Sequence, residues 1–164
     1  MRILISGTPG TGKSTAACLL AKSLGAECLS ITNLVKEKNL ALGYNRKLRT
    51  WDVDENRLKR EIERCIRKNH KIFVEGHLSH IVSHRLSDLC IVLRTEVSEL
   101  FKRLKKRKYP LKKIQENIQA EIFNTCYEEA KENKHKVLVI DTTSFSSAEK
   151  TLLKDFIYEL SLQS

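Results

Sequence analysis

At 164 residues the chain has the length of one domain rather than two, and 41% hydrophobic with 30% charged residues is enough for a core under a water-facing surface. The 30 Lys and Arg against 20 Asp and Glu leave a net charge of +10, which bears on polyanionic partners such as nucleotides, RNA or a ribonucleoprotein surface and not on fold. No run nears the roughly 20 apolar residues of a membrane helix, the first apolar run is too short for a signal peptide, and five widely spaced cysteines without a C-x-x-C pair predict reduced, core-packed thiols in a cytoplasmic or nuclear compartment rather than disulfides or zinc.

Residues 2–6 read as a buried strand, followed by a glycine-rich turn over 7–12 and a helix over 13–24. Ala17, Leu20, Ala21 and Leu24 share a face of that helix, and Gly25 stands where a C-cap belongs. Residues 27–31 predict a short strand and 33–39 a short helix, while 41–51 have no period and read as a loop. Asp52 or Asp54 can cap a helix running to about Lys68, with Leu58, Ile62, Cys65 and Ile66 on one face. Strands over 71–75 and 88–93 are almost wholly apolar. A helix over 95–108 follows, Pro110 interrupts it or opens the next one over 111–133, and 136–140 form the fifth strand. Ser146 or Ser147 opens a last helix to about Leu162. Five apolar strands separated by helices predict a three-layer α/β/α sandwich on a five-stranded parallel sheet, one domain over 1–164.

Half of the glycines and one of the two prolines fall in the first turn. Gly7-Thr8-Pro9-Gly10-Thr11-Gly12-Lys13-Ser14-Thr15 satisfies G-x-x-x-x-G-K-[ST] between an apolar strand and an amphipathic helix, the context a phosphate-binding loop requires. Glycines let successive N–H groups converge on phosphate oxygens, and the helix adds its own N-terminal donors. Gly10, Thr11, Gly12, Lys13, Ser14 and Thr15 are therefore the candidate nucleotide-phosphate-binding residues, with Lys13 on the β/γ-phosphates and the Ser14 hydroxyl on Mg²⁺. No N-K-x-D guanine reader is present, which argues against a GTPase.

Glu75 ends the third parallel strand, where an acid can hold Mg²⁺ or its water ligands. Residues 102–113 hold eight basic residues and no acid, which suits a lid closing over a triphosphate; Arg103 and Arg107 are its candidate transition-state groups because arginine's fork fits the transferring oxygens.

These residues resemble the small nuclear and archaeal adenylate kinase family, the adenylate kinase isoenzyme six group, also described as ribosome-assembly ATPases. The resemblance rests on the loop 7–15, Asp52-Val53-Asp54-Glu55, Gly76-His77-Leu78-Ser79-His80, Val92-Leu93-Arg94-Thr95, Arg107-Lys108-Tyr109 and the run 113–122, and its motifs look like the archaeal branch. It implies a nucleoside monophosphate kinase fold with a monophosphate-binding segment at about 30–53 and a short lid at about 107–116. It further implies transfer of the ATP γ-phosphate to AMP or other monophosphates, intrinsic ATP hydrolysis, and transient contact with a platform protein of the small ribosomal subunit during its late maturation, near rRNA. By position it makes Arg107 the lid arginine and His77 a residue of the hydrolytic step. Many relatives carry Asp at the position of Glu75, and the loop with Arg46, Lys47 and Arg49 is unusually basic.

The spacing of His77, His80 and His84 also fits a metal cluster, but no cysteine accompanies them. Tyr44 and Trp51 can stack on a base or simply pack over a loop. Asp54 can sit near substrate phosphates instead of capping. Residues 141–143, after the last strand, are where backbone groups would read an adenine edge. Two rival readings remain: a kinase for another small metabolite such as shikimate fits the loop but not His77 and Asn117, and a pure RNA-binding module fits the charge but leaves the loop without a use.

Overall fold

In the computed structural model, which describes residues 1–48 and 50–144, the chain begins with β1 (Arg2–Ser6), α1 (Lys13–Leu24), β2 (Glu27–Ser30), α2 (Ile31–Glu37), β3 (Ala41–Asn45), β4 (Thr50–Val53) and α3 (Glu55–Lys68). It continues with β5 (Ile72–Glu75), β6 (Leu89–Arg94), α4 (Val97–Lys106), α5 (Leu111–Ile122), α6 (Thr125–Glu132) and β7 (Val137–Asp141). Arg49 and the helix expected after Ser146 lie outside the described residues.

Five strands form the expected parallel sheet in the order β2-β5-β1-β6-β7. Alternation along β1 divides the core. Ile3 and Ile5, with Phe73, Ile91 and Leu93, pack under Ala17, Leu20, Ala21 and Leu24 of α1. Leu4, with Val74, Cys90 and Val92, packs against Ile31, Leu34 and Val35 of α2, Leu58, Ile62 and Ile66 of α3, and Ala130 of α6. The last three α3 positions have no exposed surface, so each contributes roughly 1.5–3 kcal/mol of apolar burial. Helices on both faces make the three layers.

β1 lies between β5 and β6, so the chain leaves it toward opposite sheet edges and a crevice opens beyond its carboxyl end. Register carries the chemistry to that crevice. Ile5 pairs with Glu75, Ser30 also pairs with Glu75, and Ser6 pairs with Val92.

Three expectations need correction. Residues 41–51 are not a loop: β3 and β4 form an antiparallel hairpin with Tyr44 opposite Trp51 and a register shift between Ala41 and Gly43, and so few inward apolar residues left no alternation to read. The segment 111–133 is not one helix, because Asn124 adopts the left-handed conformation at φ 55° and separates α5 from α6; asparagine tolerates that region better than most residues. The thiols are not all core-packed: Cys90 is buried and Cys65 and Cys126 are half-buried, but Cys18 lies on the outward side of α1 and is exposed, as is Cys28 on β2. Of the two possible caps for α3, Asp54 is used, accepting from the Arg57 backbone N–H at 3.0 Å.

Candidate active site

Gly7 to Gly12 curl over the end of β1, and Gly7 shows why the turn needs glycine. Its φ is +134°, and a Cβ there would lie 2.3 Å from the Leu93 carbonyl oxygen of β6. Thr11 Oγ1 donates to the Thr8 carbonyl at 2.9 Å, and Thr142 Oγ1 donates to the Thr11 carbonyl at 2.8 Å, so the turn is held from inside and from the end of β7. Gly12 is the N-cap of α1 with φ 92°; no side chain caps this end and its first turn carries no acid. Uncapped N–H donors and the positive end of the helix dipole face the turn's hollow, an arrangement that favours an anion.

Lys13 is buried and folds back, its Nζ donating to the Gly7 carbonyl at 2.6 Å and the Thr8 carbonyl at 2.9 Å. Burial pulls its pKa down to about 8, against the opposing pull of Cys126 and Glu75. Beside it Ser14 Oγ donates to Glu75 Oε2 at 3.1 Å, and Glu75 is itself nearly buried. A hydroxyl and a carboxylate held together are hard oxygen donors of the kind Mg²⁺ takes. Among the described residues no group of three His, Cys, Asp or Glu could cage a metal. His77, His80 and His84 form no such group.

From the phosphate loop a cleft of about 580 Å³ runs to a far wall of Ile31, Thr32, Leu48, Thr50, Trp51 and Val53. Trp51 and Tyr44 lean on each other with ring centroids 4.7 Å apart at 52°, each nearly half exposed. Arg107, Tyr109, Lys113, Glu116 and Asn117 form the roof. The lid segment is mostly helical: only residues 107–110 connect α4 to α5, with Lys108 in the left-handed region. Lys113 Nζ lies 4.6 Å from the Tyr109 ring centre.

Arg107 lines the cleft, whereas Arg103 does not. Arg103 Nε donates to Glu99 Oε1 at 2.9 Å, and its Nη2 donates to the carbonyls of Thr142 at 2.8 Å and Thr143 at 3.1 Å. These bonds tie α4 to the residues that follow β7. Arg103, expected as a transition-state group, is held by these partners and is not among the residues lining the cleft.

His77 is open to the cleft, and the enclosing walls, then the charges of Lys13, His80 and Lys113, keep its pKa below the ordinary histidine value. It therefore presents a neutral imidazole. His80 is buried, with Nδ1 2.8 Å from Ser6 Oγ and Nε2 2.8 Å from Glu129 Oε2. Ser6 Oγ also lies 3.2 Å from the His77 carbonyl, so Glu129, His80 and Ser6 fix the chain that carries His77.

Comparison with known proteins was decisive for the family. Residues 3–124 match the family described as AAA domain. An adenylate kinase isoenzyme 6 homolog of Schizosaccharomyces pombe is 42% identical over 90% of this chain and 83% of its own. A protein named provisionally as an adenylate kinase in Methanocaldococcus jannaschii is 39% identical over 88% of this chain and 78% of its own. This chain belongs to the adenylate kinase isoenzyme 6 family.

The family has the nucleoside monophosphate kinase architecture described above, and solved structures agree at the level of fold. A shikimate kinase from Bacteroides thetaiotaomicron superposes with a TM-score of 0.67 over 98% of this chain and 97% of its own. Another, from Acinetobacter baumannii in complex with shikimate, gives 0.63 over 99% and 93%. At 13% and 17% identity these show the fold alone.

Several residues of this kinase site carry no motif signal of their own. Glu121 of α5 is buried, accepts from the Thr8 hydroxyl in the phosphate loop and takes the Thr95 backbone N–H at 2.8 Å. Cys126 and Glu129 of α6 line the cleft because the Asn124 break redirects the chain. Only the family run 113–122 pointed toward the first of them.

Proposed function

We propose that the chain is a Mg²⁺-dependent nucleoside monophosphate kinase that transfers the γ-phosphoryl group of ATP to AMP, and to other monophosphates, with ATP hydrolysis as an intrinsic second activity. The observation that carries this reading is one continuous cleft lined both by the anion-seeking loop and by Leu48, Thr50, Trp51 and Val53 of the hairpin. A triphosphate on the loop would point its terminal phosphate toward a second substrate on that wall. Lys13 and the loop N–H groups hold the β- and γ-phosphates, Ser14 and Glu75 hold the metal side, and Arg107 covers the transferring group from above. The bound Mg²⁺ would neutralise charge on the phosphates. His77, a neutral imidazole on a backbone held by Ser6, His80 and Glu129, is the candidate for positioning water in hydrolysis.

Incubating the protein with Mg²⁺-ATP and each common monophosphate, with diphosphate and free phosphate measured separately, tests the reading. ADP from AMP is expected, and free phosphate without an acceptor. Lys13→Ala should lower both by about 10²–10³-fold, and His77→Gly should lower phosphate release more than diphosphate formation. No diphosphate from any monophosphate would overturn the kinase reading.

A second role, as an ATP-driven factor in late maturation of the small ribosomal subunit that grips a platform protein, is supported by α3. Its exposed Arg57, Arg60, Arg64, Arg67 and Lys68 serve no part of the cleft. Association with small-subunit proteins that changes with ATP in a pull-down is the expected result; its absence would remove this role and leave the kinase untouched.

A further inference from the structure

Of the five cysteines, Cys18 and Cys28 alone are exposed, and they meet. Their sulfurs lie 3.9 Å apart, one on α1 and the other on β2. The meeting follows from the fold. Cys28 pairs in register with Phe73, which packs under α1, so the Cys28 side chain points to the α1 side of the sheet. The chain reverses between α1 and β2 through Gly25, in the left-handed conformation at φ 60°, and this brings the eighteenth and twenty-eighth residues side by side. Neither thiol is needed for packing. The inward stripe of α1 is already filled by Ala17, Leu20, Ala21 and Leu24, and Cys18 lies outside it.

We propose that Cys18 and Cys28 are a site of reversible disulfide formation that clamps α1 to β2. Three observations support a disulfide over other thiol chemistry. The sulfurs are already in contact, so closing to a bond of about 2.05 Å takes a small movement. Among the described residues β2 is the edge strand of the sheet, hydrogen-bonded to β5 on one side, and is therefore freer to make that movement than an inner strand. Among the described residues no third His, Cys, Asp or Glu joins them in a metal-holding group, so the pair lacks the ligands of a zinc site.

The reaction needs an oxidant, and a low-molecular-weight disulfide such as glutathione disulfide suffices. One protein thiol loses its proton, and the thiolate attacks a glutathione sulfur and expels the first glutathione thiolate. The neighbouring cysteine, likewise deprotonated, attacks the protein-bound sulfur of the mixed disulfide and expels the second. Two protein thiols and one glutathione disulfide become one protein disulfide and two glutathiones. Burial and the contact with Cys18 raise the Cys28 thiol above the ordinary cysteine range, so the exchange should speed up as pH rises.

The clamp would close next to the nucleotide machinery. Cys18 is one helical turn beyond Ser14 on the same side of α1, and Cys28 lies two residues before Ser30, the register partner of Glu75. The pair is nonetheless outside the cleft lining, so its chemistry is separable from phosphoryl transfer.

The test equilibrates the full chain in glutathione buffers of rising oxidised fraction, then acid-quenches, alkylates and maps the peptides by mass. A Cys18–Cys28 linked peptide, lighter by two hydrogens and restored to two thiols by dithiothreitol, is expected. The linked protein should melt roughly 5–10 °C higher, because a closed loop of about ten residues restricts the unfolded chain. Cys18→Ser and Cys28→Ser should form no link and gain no melting shift in the same buffers. Stable glutathione adducts on either cysteine without a link would overturn the proposal. So would modification confined to Cys126, or a link that leaves the melting temperature unchanged or lower.

Discussion

Lys13 turns its ammonium onto the Gly7 and Thr8 carbonyls, and burial lowers its pKa to about 8. A triphosphate in the loop adds negative charge beside the ammonium and raises that pKa again, so binding takes up a proton. The sign follows: affinity for ATP is fullest below pH 8 and falls as pH rises through it, by about tenfold near pH 9 where about a tenth of the free protein keeps the charge. Calorimetric titration in two buffers of different ionisation enthalpy measures the uptake directly. It should approach one proton per nucleotide at pH 9 and vanish in Lys13→Arg, whose side chain does not titrate there. Equal heats in both buffers for the wild type would contradict this account. A neighbouring residue gives a sharper steric test. Gly7→Ala places a methyl group 2.3 Å from the Leu93 carbonyl oxygen at a φ that alanine rarely adopts, and should cost about 3 kcal/mol or more in urea unfolding. A loss below about 0.5 kcal/mol would mean that the loop backbone shifts freely.

At the scale of elements, the cleft roof and the phosphate loop are joined by α5. Its Glu121 carboxylate is buried, accepting from Thr8 in the loop and Thr95 after β6, with Arg94 Nε 3.9 Å away. Glu121→Ala strands a hydroxyl and a backbone N–H in the interior, which should cost about 2–4 kcal/mol by chemical unfolding and raise the KM for ATP through Thr8. Glu121→Gln keeps an accepting oxygen and should lose less of both; equal losses in the two variants would point to charge rather than hydrogen bonding. The sequence reveals such elements unevenly. β1, the loop and α1 are readable to the residue because an apolar run, three glycines and an amphipathic repeat sit next to one another. The hairpin β3–β4 is unreadable because Leu42, Tyr44 and Trp51 are exposed and no face is buried to impose a period of two. The break at Asn124 hides inside a helical pattern, and with it the delivery of Cys126 and Glu129 to the cleft. Arg103 is the reverse case: its basic context suggested phosphate, but Glu99 one turn earlier and two carbonyls after β7 decide its direction.

For the whole molecule the surplus charge has a place as well as a size. Lys13, Arg107 and Lys113 belong to the cleft, but the outward face of α3 presents Arg57, Arg60, Arg64, Arg67 and Lys68, with Arg64 paired to Glu61 at 3.8 Å and Arg67 to Glu63 at 3.7 Å. Exposed pairs of that kind are worth little and leave the face net positive. A helix with such a face should hold single-stranded RNA through phosphate contacts alone, without sequence preference. If about four phosphates are neutralised, the logarithm of affinity falls with the logarithm of salt at a slope near −2.8, and affinity drops about 50-fold between 50 and 200 mM salt. Filter binding on a homopolymer RNA measures that slope. Replacing Arg60, Arg64 and Arg67 together with glutamine should bring it toward −1 while leaving ADP formation from ATP and AMP unchanged, because none of the three lines the cleft. An unchanged slope in the triple variant would move the RNA contact elsewhere. The basic segment 102–113 is then the alternative, and there, unlike on α3, added nucleotide should compete with RNA because Arg107 and Lys113 roof the nucleotide site.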